Sequence, residues 1–174
     1  LSEAGELVHG TCVALGPYAA LLRGRSGSGK SDLALRFLAL APEGDLQPRL
    51  VADDQVWIVA QSDGSLIASP PETLAGKIEV RGVGIVSLPH RSTARLVLVA
   101  DLVAAEEVPR MPPAQPHQIT IAKTTLNVVK LCPFELSAAI KLKLALLSVV
   151  RNCLINRHRF GLAPGRRRDK DSGL

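Results

Sequence analysis

Apolar and β-branched positions alternate along this chain in short stretches divided by turn residues, a pattern that predicts many strands and few helices. It predicts strands over Thr11 to Leu15, Tyr18 to Arg23, Arg49 to Ala52, Val56 to Ala60, Leu66 to Ser69, Lys77 to Val80, Ile85 to Leu88, Arg95 to Val99, Ile119 to Ala122 and Thr125 to Leu131. Asp63-Gly64, Pro70-Pro71 and the run Arg81 to Gly84 supply turns between them. Two stretches read as helices. After Asp32, the residues Leu33, Leu35, Phe37, Leu38 and Leu40 suit a helix buried over much of its surface, ended by Pro42 and Gly44. From Pro133, the run PFELSAAIKLKLALLSVVRNCL reads as a long helix with proline in its first turn and an apolar face through Leu136, Ile140, Leu144 and Leu147. The segment Glu106 to His117, with four prolines, reads as a loop or flap.

Composition narrows the class. A chain of 174 residues, 47% apolar, is long enough for one domain with its own core, and at 3% aromatic content that core must rest on Leu, Val, Ile and Ala. The net charge of +5 suggests an acidic partner until its position is considered. Up to residue 150 the bases and acids balance, and the excess comes wholly from residue 151 onward, where Arg166, Arg167, Arg168 and Lys170 crowd the end. The body up to residue 150 is therefore neutral, and the division expected is a domain over 1–160 and a basic, solvated tail over 161–174, with no nucleic-acid partner. No apolar run approaches a membrane span, and the first ten residues lack the blocks of a signal peptide, so a cytoplasmic protein is expected. Leu1 is not an initiator methionine, which puts the expected start upstream. Cys12, Cys132 and Cys153 are odd in number and far apart, which suits reduced thiols and not a zinc site.

The candidate chemistry begins at GRSGSGKS, Gly24 to Ser31, which matches G-x-x-x-x-G-K-[ST] in full. In that motif the backbone N–H groups of a glycine-rich loop turn toward a polyphosphate, and the following helix presents its positive end to the same anion. Gly24, Arg25, Ser26, Gly27, Ser28 and Gly29 would form the cradle, Lys30 would reach the β- and γ-phosphates, and Ser31 would offer its hydroxyl to Mg²⁺. A flexible Gly/Ser loop is the plain alternative. The predicted strand before the motif and helix after it favour the phosphate reading.

A phosphate-loop enzyme also needs an acidic group. Two predicted strands end in one: RLVADD in Asp53 and Asp54, and RLVLVAD in Asp101. Adjacent carboxylates can divide the work, one toward a metal and one as general base, although a turn explains most such pairs. Glu79 and Arg81, at i and i+2 before a glycine-bracketed turn, share one face of a strand and suit a metal and a phosphate, or a surface ion pair. His9, before Gly10, carries little weight alone.

Taken in order, His9-Gly10, GRSGSGKS, LVADD (Leu50 to Asp54) and IEVRGVGIV (Ile78 to Val86) resemble the HPr kinase/phosphorylase family over roughly residues 7 to 100. The resemblance implies an α/β, P-loop-containing, strand-rich catalytic domain related to phosphoenolpyruvate carboxykinase, over residues 1–160. It implies a kinase that uses ATP and Mg²⁺ to phosphorylate a serine of the phosphocarrier protein HPr, and a homo-oligomer, a hexamer in well-known relatives. Carried over residue by residue, Ser31 and Glu79 would hold the metal and Lys30 the phosphates. Asp54 would be the preferred base, with Asp53 as a metal partner or the second choice for base. His9 would tune that base, and Arg81 with the turn Gly82 to Gly84 would shape the transfer site. Asp101 becomes an ordinary strand end.

Some departures bear on function. The chain looks like a short form without the family's N-terminal domain, or like a piece cut from a longer protein. Asp32 stands where many members have Glu, and the region of a P-x-R-P-G-R-like loop reads VVKLCPFELS, with neither the arginine pair nor the glycine. By the resemblance, Arg110 would stand in for another family arginine. Reduced or absent phosphorylase activity is therefore expected. The rival readings are a small-metabolite kinase, for which an arginine-rich lid is missing, and a non-catalytic nucleotide sensor, against which the retained acids speak.

Overall fold

The computed structural model describes residues 5–159. Eleven strands and two α-helices succeed one another as β1 (Gly5–His9), β2 (Thr11–Leu15), β3 (Tyr18–Arg23), α1 (Lys30–Leu38), β4 (Pro48–Ala52), β5 (Gln55–Ala60), β6 (Leu66–Ser69), β7 (Lys77–Val80), β8 (Gly84–Ser87), β9 (Ala94–Leu102), β10 (His117–Ile121), β11 (Thr124–Leu131) and α2 (Ala138–Arg159). All ten predicted strands are present within two or three residues of their expected ends. β1 is additional: its residues GELVH are half exposed and lack the β-branched alternation by which the others announce themselves.

Nine strands form one sheet in the order β1-β5-β6-β9-β3-β2-β4, with β11 beside β9 and β10 beside β11; β7 and β8 form a separate hairpin. β3, β9 and β11 run parallel, whereas β2 is antiparallel to both β3 and β4. As a result β4, β3, β9 and β11 all end at the same edge of the sheet, and β2 begins there. The chain leaves those four strands through Asp53, Gly24, Val103 and Cys132.

The centre of the mixed sheet, at β2, β3, β4 and β9, is buried on both sides, whereas β1, β5 and β10 leave residues exposed. Val13, Leu15, Ala20 and Leu22 face the two helices together with Leu50, Leu98 and Ala100, and meet Leu33, Phe37, Leu142 and Leu146 there. Their neighbours Cys12, Ala14, Ala19 and Leu21 face the other way and pack with Val51, Val56, Ile58, Leu66 and Val128. A register shift between Ala19 and Ala20, where the partners pass from Leu96 to Leu98, inserts Val97 as a bulge. Aliphatic side chains dominate both clusters, as the scarcity of aromatics requires.

The last helix corrects the sequence reading twice. It starts at Ala138, because Cys132 to Glu135 form a turn in which Glu135 N–H donates to the Cys132 carbonyl at 3.4 Å. Its buried face is Ala138, Leu142, Leu146 and Val150 with Ala139 and Leu147; Leu136, Ile140 and Leu144, expected inside, are exposed. Two apolar rows at i, i+4 run along this segment two residues apart, hence about 200° around the helix. The sequence does not say which row meets α1 and the sheet. The basic tail expected over 161–174 lies outside the described residues.

Candidate active site

The shared strand edge carries the candidate site. β3 ends at Arg23, the loop Gly24–Gly29 follows, and Gly29 caps α1 with φ +85°, a left-handed conformation that favours glycine. Lys30, at 8% exposure, opens the helix. Its Nζ donates to the Gly24 and Arg25 carbonyls, each at 3.0 Å, and it forms an ion pair with no carboxylate among the described residues. The Ser28 hydroxyl, buried in the same loop, has no hydrogen-bond partner among the described residues.

Across the cavity stands the acidic pair, on the turn between β4 and β5. Asp53 is also 8% exposed. It accepts from Thr11 Oγ1 at 2.7 Å, from Ser31 Oγ at 3.0 and 3.3 Å, and from the Glu79 N–H at 3.3 Å, again with no basic side chain paired to it among the described residues. Asp54 takes φ +68° and points outward, its side chain 68% exposed, with Oδ1 3.2 Å from His9 Nδ1. Pairing of β1 with β5 sets His9 opposite Gln55, and the Gly10 N–H donates to the Asp54 carbonyl at 3.0 Å. Gly10 has no room for a side chain: a methyl group there would stand 2.8 Å from the Leu22 carbonyl oxygen. The crossing of β1 onto β5, which brings His9 to Asp54, passes through that close approach.

A cavity of about 620 Å³ joins these groups, within the range of small-ligand sites. Ser26, Gly27, Gly29, Lys30 and Ser31 line it from the loop, Asp53 and Asp54 from the turn, and Glu79 and Arg81 from the β7–β8 hairpin. β7 ends at Val80, so Arg81 belongs to the turn and not to the strand, yet both residues reach the cavity. Gly24, Arg25 and Ser28 build the loop from behind. Asp101 is engaged elsewhere: Arg23 donates to it twice, at 2.8 and 2.9 Å. Arg110 is exposed and does not line the cavity.

Several lining residues escaped the sequence reading, Thr11, Lys77 and Phe134 among them. Thr11 is fully buried and orients Asp53; its only signal is a hydroxyl at the head of an otherwise apolar strand. Phe134 faces the loop from beyond β11, and its signal is an aromatic after a proline in a chain with few aromatics. Among the described residues no three His, Cys, Asp or Glu side chains gather as a metal cluster. Ser31, Asp53 and Glu79 all line the cavity, and their oxygens could serve a cation that keeps several waters and takes few protein ligands.

A strand, a glycine loop and a helix set beside a buried carboxylate, in a strand-rich α/β fold, define the class of protein. The chain belongs to the HPr serine kinase C-terminal domain family, whose family model matches residues 2–103. It is 39% identical over 105 residues to an HPr kinase/phosphorylase of Geobacillus thermodenitrificans, covering 55% of this chain and 31% of that one. To an HPr kinase/phosphorylase of Streptococcus thermophilus it is 42% identical over 81 residues, covering 47% and 24%. The chain thus spans a third or less of the length of these curated relatives. In fold it is similar to the HPr(Ser) kinase/phosphatase of Coxiella burnetii, with TM-score 0.65 at 22% identity, over 88% of this chain and 99% of that one.

Proposed function

We propose that the protein is an ATP- and Mg²⁺-dependent serine kinase acting on the phosphocarrier HPr or a paralogue. One observation carries this reading: Lys30 and Asp53, each 8% exposed, have no partner of opposite charge among the described residues and line one cavity with Ser31, which follows Lys30 in the chain and donates to Asp53. Buried charges are costly unless compensated. A buried cation at the start of a helix suits an anion, a buried carboxylate beside a hydroxyl suits a cation, and a metal–polyphosphate brings both.

The loop N–H groups and Lys30 would hold the phosphates, and Ser31, Asp53 and Glu79 the metal, which when bound neutralises charge on the phosphate oxygens. Asp54 is the base: it is exposed where an acceptor can approach, and His9 fixes one of its oxygens. It takes the proton of the serine hydroxyl as that oxygen bonds to the γ-phosphorus and the bond to ADP breaks. Phosphorolysis is weak on this reading, because the turn Cys132 to Glu135 offers no arginine to inorganic phosphate, and its one charged residue, Glu135, is paired with Lys141.

Asp54→Asn tests the assignment. It should lower kcat for transfer by at least about 100-fold while leaving the Kd for ATP·Mg²⁺ within about threefold. Undiminished transfer would remove Asp54 from the reaction, and a matching loss of ATP affinity would make it a binding group. Pyrophosphate formed readily from phospho-HPr and phosphate would contradict the reading of the turn.

A further inference from the structure

We propose that Phe134 is the platform on which the base of the bound nucleotide stacks. The proposal rests on the reading of Gly24–Ser31 as a phosphate cradle and adds which end of the site takes the nucleoside.

Strand order carries the argument. Along the shared edge, Asp53 and Asp54 follow β4, the glycine loop follows β3, and Phe134 comes three residues after the end of β11, with β9 between β3 and β11. The phosphate loop is therefore central, with the acidic pair on one side and the aromatic ring on the other. A nucleotide laid across it has its γ-phosphate toward Asp54 only if its base lies toward Phe134. The ring also lies beside the loop, close enough that a methyl group built on Gly29 would stand 3.2 Å from Phe134 Cε1 and 3.4 Å from its Cζ.

Phe134 is held there and yet left open. Arg36 donates to the carbonyls on both sides of it, to Glu135 at 3.2 Å and to Pro133, while its guanidinium is oriented by Asp32 at 2.7 and 3.0 Å. One guanidinium thus ties the turn to α1, the helix that the glycine loop opens. The side chain itself is 72% exposed and lines the cavity. Of the three phenylalanines in the chain, Phe37 serves the core, whereas Phe134 offers its ring to solvent at the mouth of a polar site. A fixed, exposed π-face beside a phosphate cradle suits a heteroaromatic base, which stacks by shape and polarisability with little regard to its hydrogen-bonding edge.

The test is binding of ATP and of tripolyphosphate, which has no base, to the full chain and to Phe134→Ala, Phe134→Leu and Phe134→Trp by calorimetry with Mg²⁺ present. Phe134→Ala and Phe134→Leu should weaken ATP by about 5- to 100-fold, the worth of one base–aromatic stack, and leave tripolyphosphate within about twofold. Phe134→Trp should keep ATP affinity. Equal losses for both ligands would make the ring a prop for Gly29, and unchanged ATP affinity in Phe134→Ala would remove it from the site; either overturns the proposal alone. Failure of tripolyphosphate to bind the unaltered protein would overturn the phosphate cradle and the proposal with it.

Discussion

Asp53 and Asp54 are adjacent in sequence, but the backbone sends them to different surroundings. Asp53 continues the line of β4 inward, where two hydroxyls and an N–H donate to it, whereas the left-handed turn at Asp54 lifts its carboxylate into the open beside His9. That one turn gives the two carboxylates different surroundings, as the proposed division of roles between them requires. Thr11 is the least conspicuous member of the arrangement and the easiest to test. Thr11→Val removes a hydroxyl from a buried carboxylate and should destabilise the fold by about 1.5–3 kcal/mol, with Thr11→Ser close to the parent, as read from urea unfolding. A neutral Thr11→Val would mean that the 2.7 Å hydrogen bond carries no net stability. The sequence gives the identity of the charged residues here because motifs are made of them; the groups that orient those residues belong to strands and look like core.

At the scale of elements, strands were legible and the last helix was half legible. Ten strands follow from alternation and turn chemistry, since a strand buried on one or both faces must place apolar side chains at fixed intervals. β1, which sets His9 beside the β4–β5 turn, was hidden because it is half exposed, with Leu7 among its exposed residues, and so lacks the alternation of a buried strand. In α2, two equivalent apolar rows compete, and only the position of α1 and the sheet selects between them. Paired substitutions measure that selection: Leu142→Ala should cost about 2–5 kcal/mol, and Leu144→Ala, two residues away, less than about 0.5 kcal/mol in the same urea titration. Similar costs for both would mean that the outer row is covered in solution.

For the whole molecule, the decisive feature is that four strand ends and the start of β2 meet at one edge, where α/β proteins commonly bind ligands. The glycine motif, the acid pair, Thr11 and Phe134 come from sequence positions up to 123 residues apart and converge there because the strand order 4-2-3-9-11 makes neighbours of them. Behind that edge the core is tight. Burial pushes the Cys12 thiol far above its ordinary value, so thiolate is scarce in the folded state. Iodoacetamide should therefore leave the Cys12 peptide unmodified under conditions where it reacts fully in urea, as followed by peptide mass mapping; equal rates would show that the face of the sheet opposite the helices is open. Among the described residues no helix is long and apolar enough to cross a membrane.

Under the proposed function, this edge transfers phosphate to a protein serine. Transfer of labelled γ-phosphate from ATP·Mg²⁺ to purified HPr, beside HPr with its acceptor serine changed to alanine, tests it most directly. Label is expected on HPr, none on the alanine variant, and none when Lys30 is replaced by Ala. Absence of label with ATP demonstrably bound would contradict it and leave a nucleotide-binding domain whose acceptor is not HPr.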